Sequence, residues 1–245
     1  MQIAYPTLKT HITHALKICK HEFLMSRMLL IIVCIIMAIN LLIFINGNPD
    51  STTFYILLTI QYCAFLVCGI TYVLSAAISF YQGIFGKQAY LTHALPVNIE
   101  TIIGAKIFIY FLWFLVIFAA LIFTLYVGIN STSFTQELRQ LSEANWSDMW
   151  NITALFILSA LQEIVFIFMV VALVHRKKTY TLLIGILTYF GIKVLLLIFS
   201  GILLNFLPDE MMTTASWLLL YIYEIALLCV FYFICHRIIK YKLQL

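Results

Sequence analysis

YQGIFGKQAYLTHALPVNIETIIGAK, residues 81–106, is the stretch on which the fold turns. It is the one long interruption, on the basic side, of an otherwise almost continuously apolar chain. It carries Gly83, Gly86, Pro96, Lys87, Lys106 and several aromatics, so it is neither a simple span nor a simple turn. Apolar runs flank it at about 54–80 and about 104–128. Each exceeds the roughly 20 residues that carry a helix across about 30 Å of hydrocarbon. Read as a connection between two spans, the stretch makes the chain a polytopic helical membrane protein. Composition agrees, since 64% of its 245 residues are hydrophobic and 10% charged. That balance excludes a soluble domain of useful size.

Working outward gives six apolar runs, at about 28–46, 54–80, 104–128, 151–174, 180–204 and 214–235. The expected fold class is an all-α integral membrane protein, a single transmembrane domain over residues 1–245 with six membrane-spanning helices. The run from Met28 to Ile45 is longer than the roughly 7–15 residues of a signal-peptide core, and no small-x-small cleavage site follows it. It reads as an uncleaved first span. Ahead of it, residues 5–24 are amphipathic: Leu8, Ile12, Ala15, Leu16, Cys19 and Phe23 recur at helical spacing, with Lys9, Lys17, Lys20 and Glu22 in other directions. This suits a helix lying in the membrane interface, or one packed on the ends of the bundle.

Lys and Arg set the orientation. Lys9, Lys17, Lys20 and Arg27 precede the first span, Lys87 and Lys106 follow the second, Arg176, Lys177 and Lys178 the fourth, and Arg237, Lys240 and Lys242 the sixth. The opposite connections hold Arg139 alone, against Asp50, Glu137, Glu143, Asp148, Asp209 and Glu210. Both termini are expected in the cytoplasm. Residues 81–103 then form a cytoplasmic loop, and 129–150 an outer one whose Trp146 and Trp150 suit the headgroup layer.

Glu163, Lys193 and Glu224 fall near the centres of the fourth, fifth and sixth runs, at a similar depth. A charge at mid-bilayer costs roughly 2.5–3.5 kcal/mol on insertion scales, so these three are expected to face the bundle interior or a wet cavity. Lys193 can pair with Glu163 or with Glu224. The group is either a structural ion pair or the lining of a route for an amphipathic substrate. Asn40 and Gln61 are candidates for hydrogen bonds between helices. Thr71, Ser75, Ser79 and Gly83 recur every four residues, a row of small residues that lets a helix of this chain or of a second copy approach closely.

Cys19, Cys34, Cys63, Cys68, Cys229 and Cys235 form no CxxC pair and read as small buried hydrophobes, with no disulfide framework or zinc site. The only Gly-Lys pair, Gly86-Lys87, has Tyr81 where the first glycine of a GxxxxGK[ST] phosphate loop belongs. His21-Glu22 is followed by Met25 in place of the second histidine of an HExxH site, and no Gly-x-Ser-x-Gly elbow occurs. No nucleophile, base and stabiliser can be assembled, and no cofactor or metal is expected in the chain itself.

Within the central stretch come Phe80-Tyr81 at a helix end, Phe85-Gly86 in a turn, Tyr90-Leu91-Thr92, Leu95-Pro96-Val97, Asn98 and then Lys106 in the next helix. Pro96 stops one helix, Asn98 can cap the next, and Glu100 sits favourably in its first turn. This order resembles the connection after the second span in permease subunits of type-2 ABC transporters, the exporter-like family with six spans per subunit. The layout of amphipathic segment, six spans and cytoplasmic ends is similar too. The chain departs from the family pattern at Lys87-Gln88-Ala89, where acidic residues and glycine are common, and at His93.

The resemblance implies that residues from about Gly83 to Leu95 dock, as a coupling helix, in a groove of a separate ATP-binding subunit. Its docking residues would be Gly83, Phe85, Gly86, Lys87, Tyr90, Leu91, Thr92, His93 and Leu95. It further implies two such ATPase subunits, which bind ATP and Mg, and a second copy of the permease. The expected function is ATP-driven export of amphipathic substrates across a bacterial plasma membrane by alternating access, with peptides and toxins of the phenol-soluble-modulin kind foremost. No nucleic-acid partner is expected. The alternatives are a six-span capture or immunity protein that binds without transporting, and an intramembrane enzyme.

Overall fold

A computed structural model describes residues 19–20, 22–24, 26–46, 52–86, 99–131, 146–175, 181–205 and 214–243. Nearly all of these are helical, and no strand occurs among them. Six long helices follow one another: α1 (Arg27–Asn46), α2 (Thr52–Ile84), α3 (Ile99–Ser131), α4 (Trp146–Val174), α5 (Thr181–Asn205) and α6 (Thr214–Leu243). Several outrun the apolar runs they contain. Helix α3 begins at Ile99 with Glu100 in its first turn, where a negative charge meets the positive end of the helix dipole. Helix α6 continues through Arg237 and Lys240, good helix formers that give it no reason to stop at the end of its apolar run.

Helices α2 to α6 are each long and apolar enough to cross a membrane, whereas the described apolar part of α1, Arg27–Ile43, is shorter. Large apolar side chains lie outside as well as inside; Leu66, Ile70, Leu187, Leu195 and Leu197 are all exposed. Such a surface suits lipid and not water. The chain has the makeup of an α-helical, multi-pass membrane protein.

Two compact units are formed. The first comprises Met1–Ser79 with Leu95–Met149, the second Phe80–Ala94 with Trp150–Leu245. In the first, α1 packs on α3. Leu29, Ile36, Asn40 and Ile43 of α1 are buried, and their spacing puts them on one helix face. Leu29 packs with Ile109 and Trp113, Ile36 with Cys68 and Ala120, and Ile43 with Leu57 and Leu58. A polar contact interrupts this apolar seam. Asn40 Nδ2 donates to Thr124 Oγ1 at 2.8 Å, Gln61 Nε2 donates to the same oxygen at 3.2 Å, and the Thr124 hydroxyl donates to the Ala120 carbonyl at 2.8 Å. The interhelical bonds expected of Asn40 and Gln61 are thus made, to one shared partner.

In the second unit α4 is the innermost helix. Seven consecutive residues, Ile164 to Val170, are buried, which covers every side of the helix. Phe166 packs against Tyr189 of α5 and Phe231 of α6, with centroids 5.3 and 5.1 Å apart. Tyr221 donates to the Asn151 carbonyl at 3.1 Å. The cysteines correct one expectation. All six are free thiols, but only Cys68 and Cys235 are buried; Cys34, Cys63 and Cys229 lie on exposed faces. Next to lipid a thiol is as well placed outside a bundle as within it.

Candidate functional site

Helix α2 ends in a turn built from glycine and aromatics. The N–H groups of Phe85 and Gly86 both donate to the Tyr81 carbonyl at 2.8 Å; the bond from Gly86 is the long-range closure that ends many helices. A Cβ on Gly86 would stand 2.8 Å from Gln82 Cα, so the close approach suits glycine alone. Within the second unit, Phe80 stacks on Phe168 with centroids 4.2 Å apart. Phe85 stacks on His175 at 4.4 Å, and Tyr81 meets the same imidazole edge-on at 5.4 Å. Of the expected docking residues, Gly83 is buried and Phe85 is packed on His175. With Gly86 they build the base of the 85–98 connection. Lys87, Tyr90, Leu91, Thr92, His93 and Leu95 lie outside the described residues.

The far side of the connection holds a correction. Lys106, counted from the sequence among the charges flanking the membrane, lies inside α3 at 1% exposure in the first unit. Its Nζ donates to a Glu22 carboxylate oxygen, to Ser79 Oγ at 3.0 Å and to the Ser79 carbonyl at 3.1 Å. The Ser79 hydroxyl donates to the other Glu22 oxygen. All three ammonium protons therefore have acceptors, and a buried ion pair of this kind is tenable only with such satisfaction.

Glu22 was expected off the apolar face of its segment; instead it is buried. Cys19, Glu22, Phe23 and Ser26 are spaced i, i+3, i+4, i+7, so one helix face carries them all. Cys19 packs against the cluster of Leu29, Ile109 and Trp113. The Phe23 ring stacks on Trp113 at 5.1 Å and 9°, and Trp113 Nε1 donates to Ser26 Oγ at 2.6 Å. The described end of the amphipathic segment packs on the bundle, which an interfacial helix allows as well; residues 5–18 of the segment lie outside the described residues. Burial pushes the Cys19 thiol pKa up, and the Glu22 carboxylate adds to the rise.

Close by, two members of the small-residue row, Ser75 and Ser79, meet α3 of their own chain. Tyr110 donates to the Ser75 carbonyl and Tyr72 to the Tyr110 carbonyl, each at 2.9 Å, and Ser79 joins the Lys106 cluster. The sequence signal for this cluster was a lone lysine early in an apolar run and an acid at i+3 from Cys19.

In the second unit the intramembrane charges are partly united. Lys193 forms an ion pair with Glu163, whose other oxygen accepts from the Tyr189 hydroxyl. The ammonium lies 5.1 Å over the Phe166 ring. Of the two pairings open to Lys193, the geometry takes Glu163. Tyr189, one turn before Lys193 on α5, completes the group and was not singled out by its sequence context. Glu224 lies within electrostatic reach of both charges, but its Oε2 is enclosed and accepts no hydrogen bond. Lys193 is 34% and Glu163 23% exposed, so this pair borders the protein surface while the Lys106 pair does not. No cluster suited to a metal ion occurs among the described residues.

Comparisons of the chain with family models, with curated proteins and with solved structures return no match.

Proposed function

We propose that the chain is the membrane subunit of an ATP-driven exporter of the type-2 ABC kind. It has six spans, α1 to α6, and both ends lie in the cytoplasm of a bacterial cell. Two copies of a separate ATP-binding subunit hold ATP and Mg, and a second copy of this chain completes the transporter. The observation that carries this reading is the anchoring of the 85–98 connection at both stems. Phe80 and Phe85 fix its entry on Phe168 and His175, and Lys106 fixes its exit through Glu22 and Ser79. A loop that only joins two spans needs no such base. One that receives a push from outside does, because a yielding stem would absorb the displacement.

Beyond the base, Tyr90 and Leu91 offer apolar anchors for a groove, with Lys87 and His93 for its polar edges. The Glu163–Lys193 pair with Tyr189, and Glu224 beside it, supply a polar strip among apolar walls, suited to an amphipathic peptide passing by alternating access. The test is co-purification. A subunit that hydrolyses ATP is expected to accompany the chain, and deleting Gln88–Ala94 is expected to leave the chain inserted while uncoupling hydrolysis from transport. Transport retained by the deletion variant would sink the reading.

A further inference from the structure

We infer that Glu22 is a positioning residue that clasps the two stems of the 85–98 connection to each other and to the N-terminal segment. Its carboxylate uses one oxygen for Lys106, near the start of α3, and the other for Ser79, near the end of α2. Ser79 and Lys106 also bond each other directly, so three chain segments close one ring of hydrogen bonds. Glu22 and Lys106 are buried, and solvent does not compete for those bonds.

The chemistry of the ring points to positioning and not to plain adhesion. Apolar side chains of similar volume would hold three segments together at least as well as a buried ion pair. What they would lack is a fixed register, since apolar contact is non-directional whereas each bond here has one donor and one acceptor at a set place. At the segment's described end, Phe23 is half exposed even while stacked on Trp113, and Cys19, packed on the Leu29 cluster, donates a weak bond to the Ala105 carbonyl at 3.9 Å. Ser26 accepts from Trp113 at 2.6 Å, but Glu22 makes the ionic attachment of that end and bonds both stems. Resting on the exporter reading, the consequence is that displacement of the connection by an ATPase passes through Glu22 into the N-terminal segment.

The experiment uses the full chain in inside-out vesicles, with every cysteine but Cys19 replaced by alanine. Two rates are measured: alkylation of Cys19 by N-ethylmaleimide, and tryptic cleavage after Lys87, followed by mass spectrometry. Loosening of the ring frees the segments it joins, so Glu22→Gln is expected to raise each rate by about fivefold or more. Ser79→Ala keeps the ion pair and removes one arm of the ring, and is expected to raise each by about twofold. The reversed pair E22K/K106E is expected to return both rates toward those of the parent. Unchanged rates in Glu22→Gln overturn the clasp. So does faster alkylation without faster cleavage, because Glu22 would then hold only its own segment. Should the reversed pair fail to insert, Ser79→Ala decides, and unchanged rates there overturn the clasp as well. With an ATPase bound, Glu22→Gln is expected to keep the partner and lose transport at least tenfold. Absence of any ATPase from the unaltered chain counts against the exporter reading and leaves the clasp to be judged by the two rates.

Discussion

Lys106 and Glu22, 84 residues apart in sequence, form an ion pair buried within the first unit, with Ser79 taking the remaining protons of the ammonium. Removing one member of such a pair leaves the other charge enclosed and unpaired, a loss of about 3–5 kcal/mol. Lys106→Met is therefore expected to lower the thermal midpoint of the detergent-purified chain steeply. The double variant E22Q/K106M, which discards both charges, is expected to regain most of that loss. A double variant as unstable as the single one would mean that the charges are not coupled.

The Glu163–Lys193 pair differs in that both members are partly exposed. Exposure at mid-span is not exposure to bulk water, and a carboxylate left alone there is costly, so Lys193→Met is expected to lower the midpoint and E163Q/K193M to regain most of that loss. If the pair lines a substrate route, export of an amphipathic peptide is expected to fall at least tenfold in the double variant. A fully active E163Q/K193M chain would take the pair out of transport and leave it a structural role.

Much of the helical layout could be read from the sequence, because the length of an apolar run is a one-dimensional property. Burial partners are not. Lys106 reads as a flanking charge although Asn98 is expected to cap the helix that carries it; its burial two turns into α3 depends on partners the sequence does not name. Glu22 is set by sequence off the apolar face with Lys9, Lys17 and Lys20, although its spacing from Cys19 and Phe23 shares their face. The Glu163–Lys193 pairing was one of two allowed by depth. Choosing between them requires the rotation of α4 and α5 about their axes, which nearly uniform apolar sequences such as Ile164–Val170 leave undetermined. Thr124 escaped notice because a threonine hydroxyl in a span bonds its own helix backbone as readily as a neighbour, and Tyr189 because its partner depends on the same rotation of α4 and α5.

Gly86 gives a test at the entry to the connection. A methyl group there would meet Gln82 Cα at 2.8 Å, backbone that cannot step aside without unwinding the turn. Where the native conformation is incompatible with Ala, the substitution is expected to cost more than about 1 kcal/mol. Gly86→Ala should insert normally, since it lies beyond the end of α2, yet speed tryptic cleavage after Lys87 and weaken co-purification of an ATPase. Cleavage and co-purification both at parental levels would show that the turn does not position the 85–98 connection.

Thr124 is the shared acceptor for the amides of Asn40 and Gln61, so one substitution strands two donors. Interhelical hydrogen bonds in membranes average about 0.6 kcal/mol with a maximum of about 1.7. Thr124→Val, nearly isosteric, is expected to destabilise the chain by about 1–3 kcal/mol, the range set by two such bonds. In the background N40L/Q61L the same change is expected to matter little. Equal losses in both backgrounds would place the effect of Thr124 in packing.

Cys19 supplies the pH test. Its thiol is held above the ordinary range, first because it is partly buried and then because Glu22 is near. The thiolate is the species that alkylates, so at a given alkaline pH Cys19 is expected to react more slowly than a small thiol in solution, with its rate–pH curve displaced upward. A folded-state pKa raised above the unfolded one contributes stability that is present below the unfolded value and is lost as pH rises through the folded one. Thermal stability is accordingly expected to decline across that alkaline window in the parent and to decline less in Cys19→Ala. Glu22→Gln removes the second cause outright and, by loosening the segment, weakens the first, so the displaced curve is expected to move back toward that of the free thiol. A curve in Glu22→Gln that coincides with the parent's would separate Cys19 from both the carboxylate and the packing it secures.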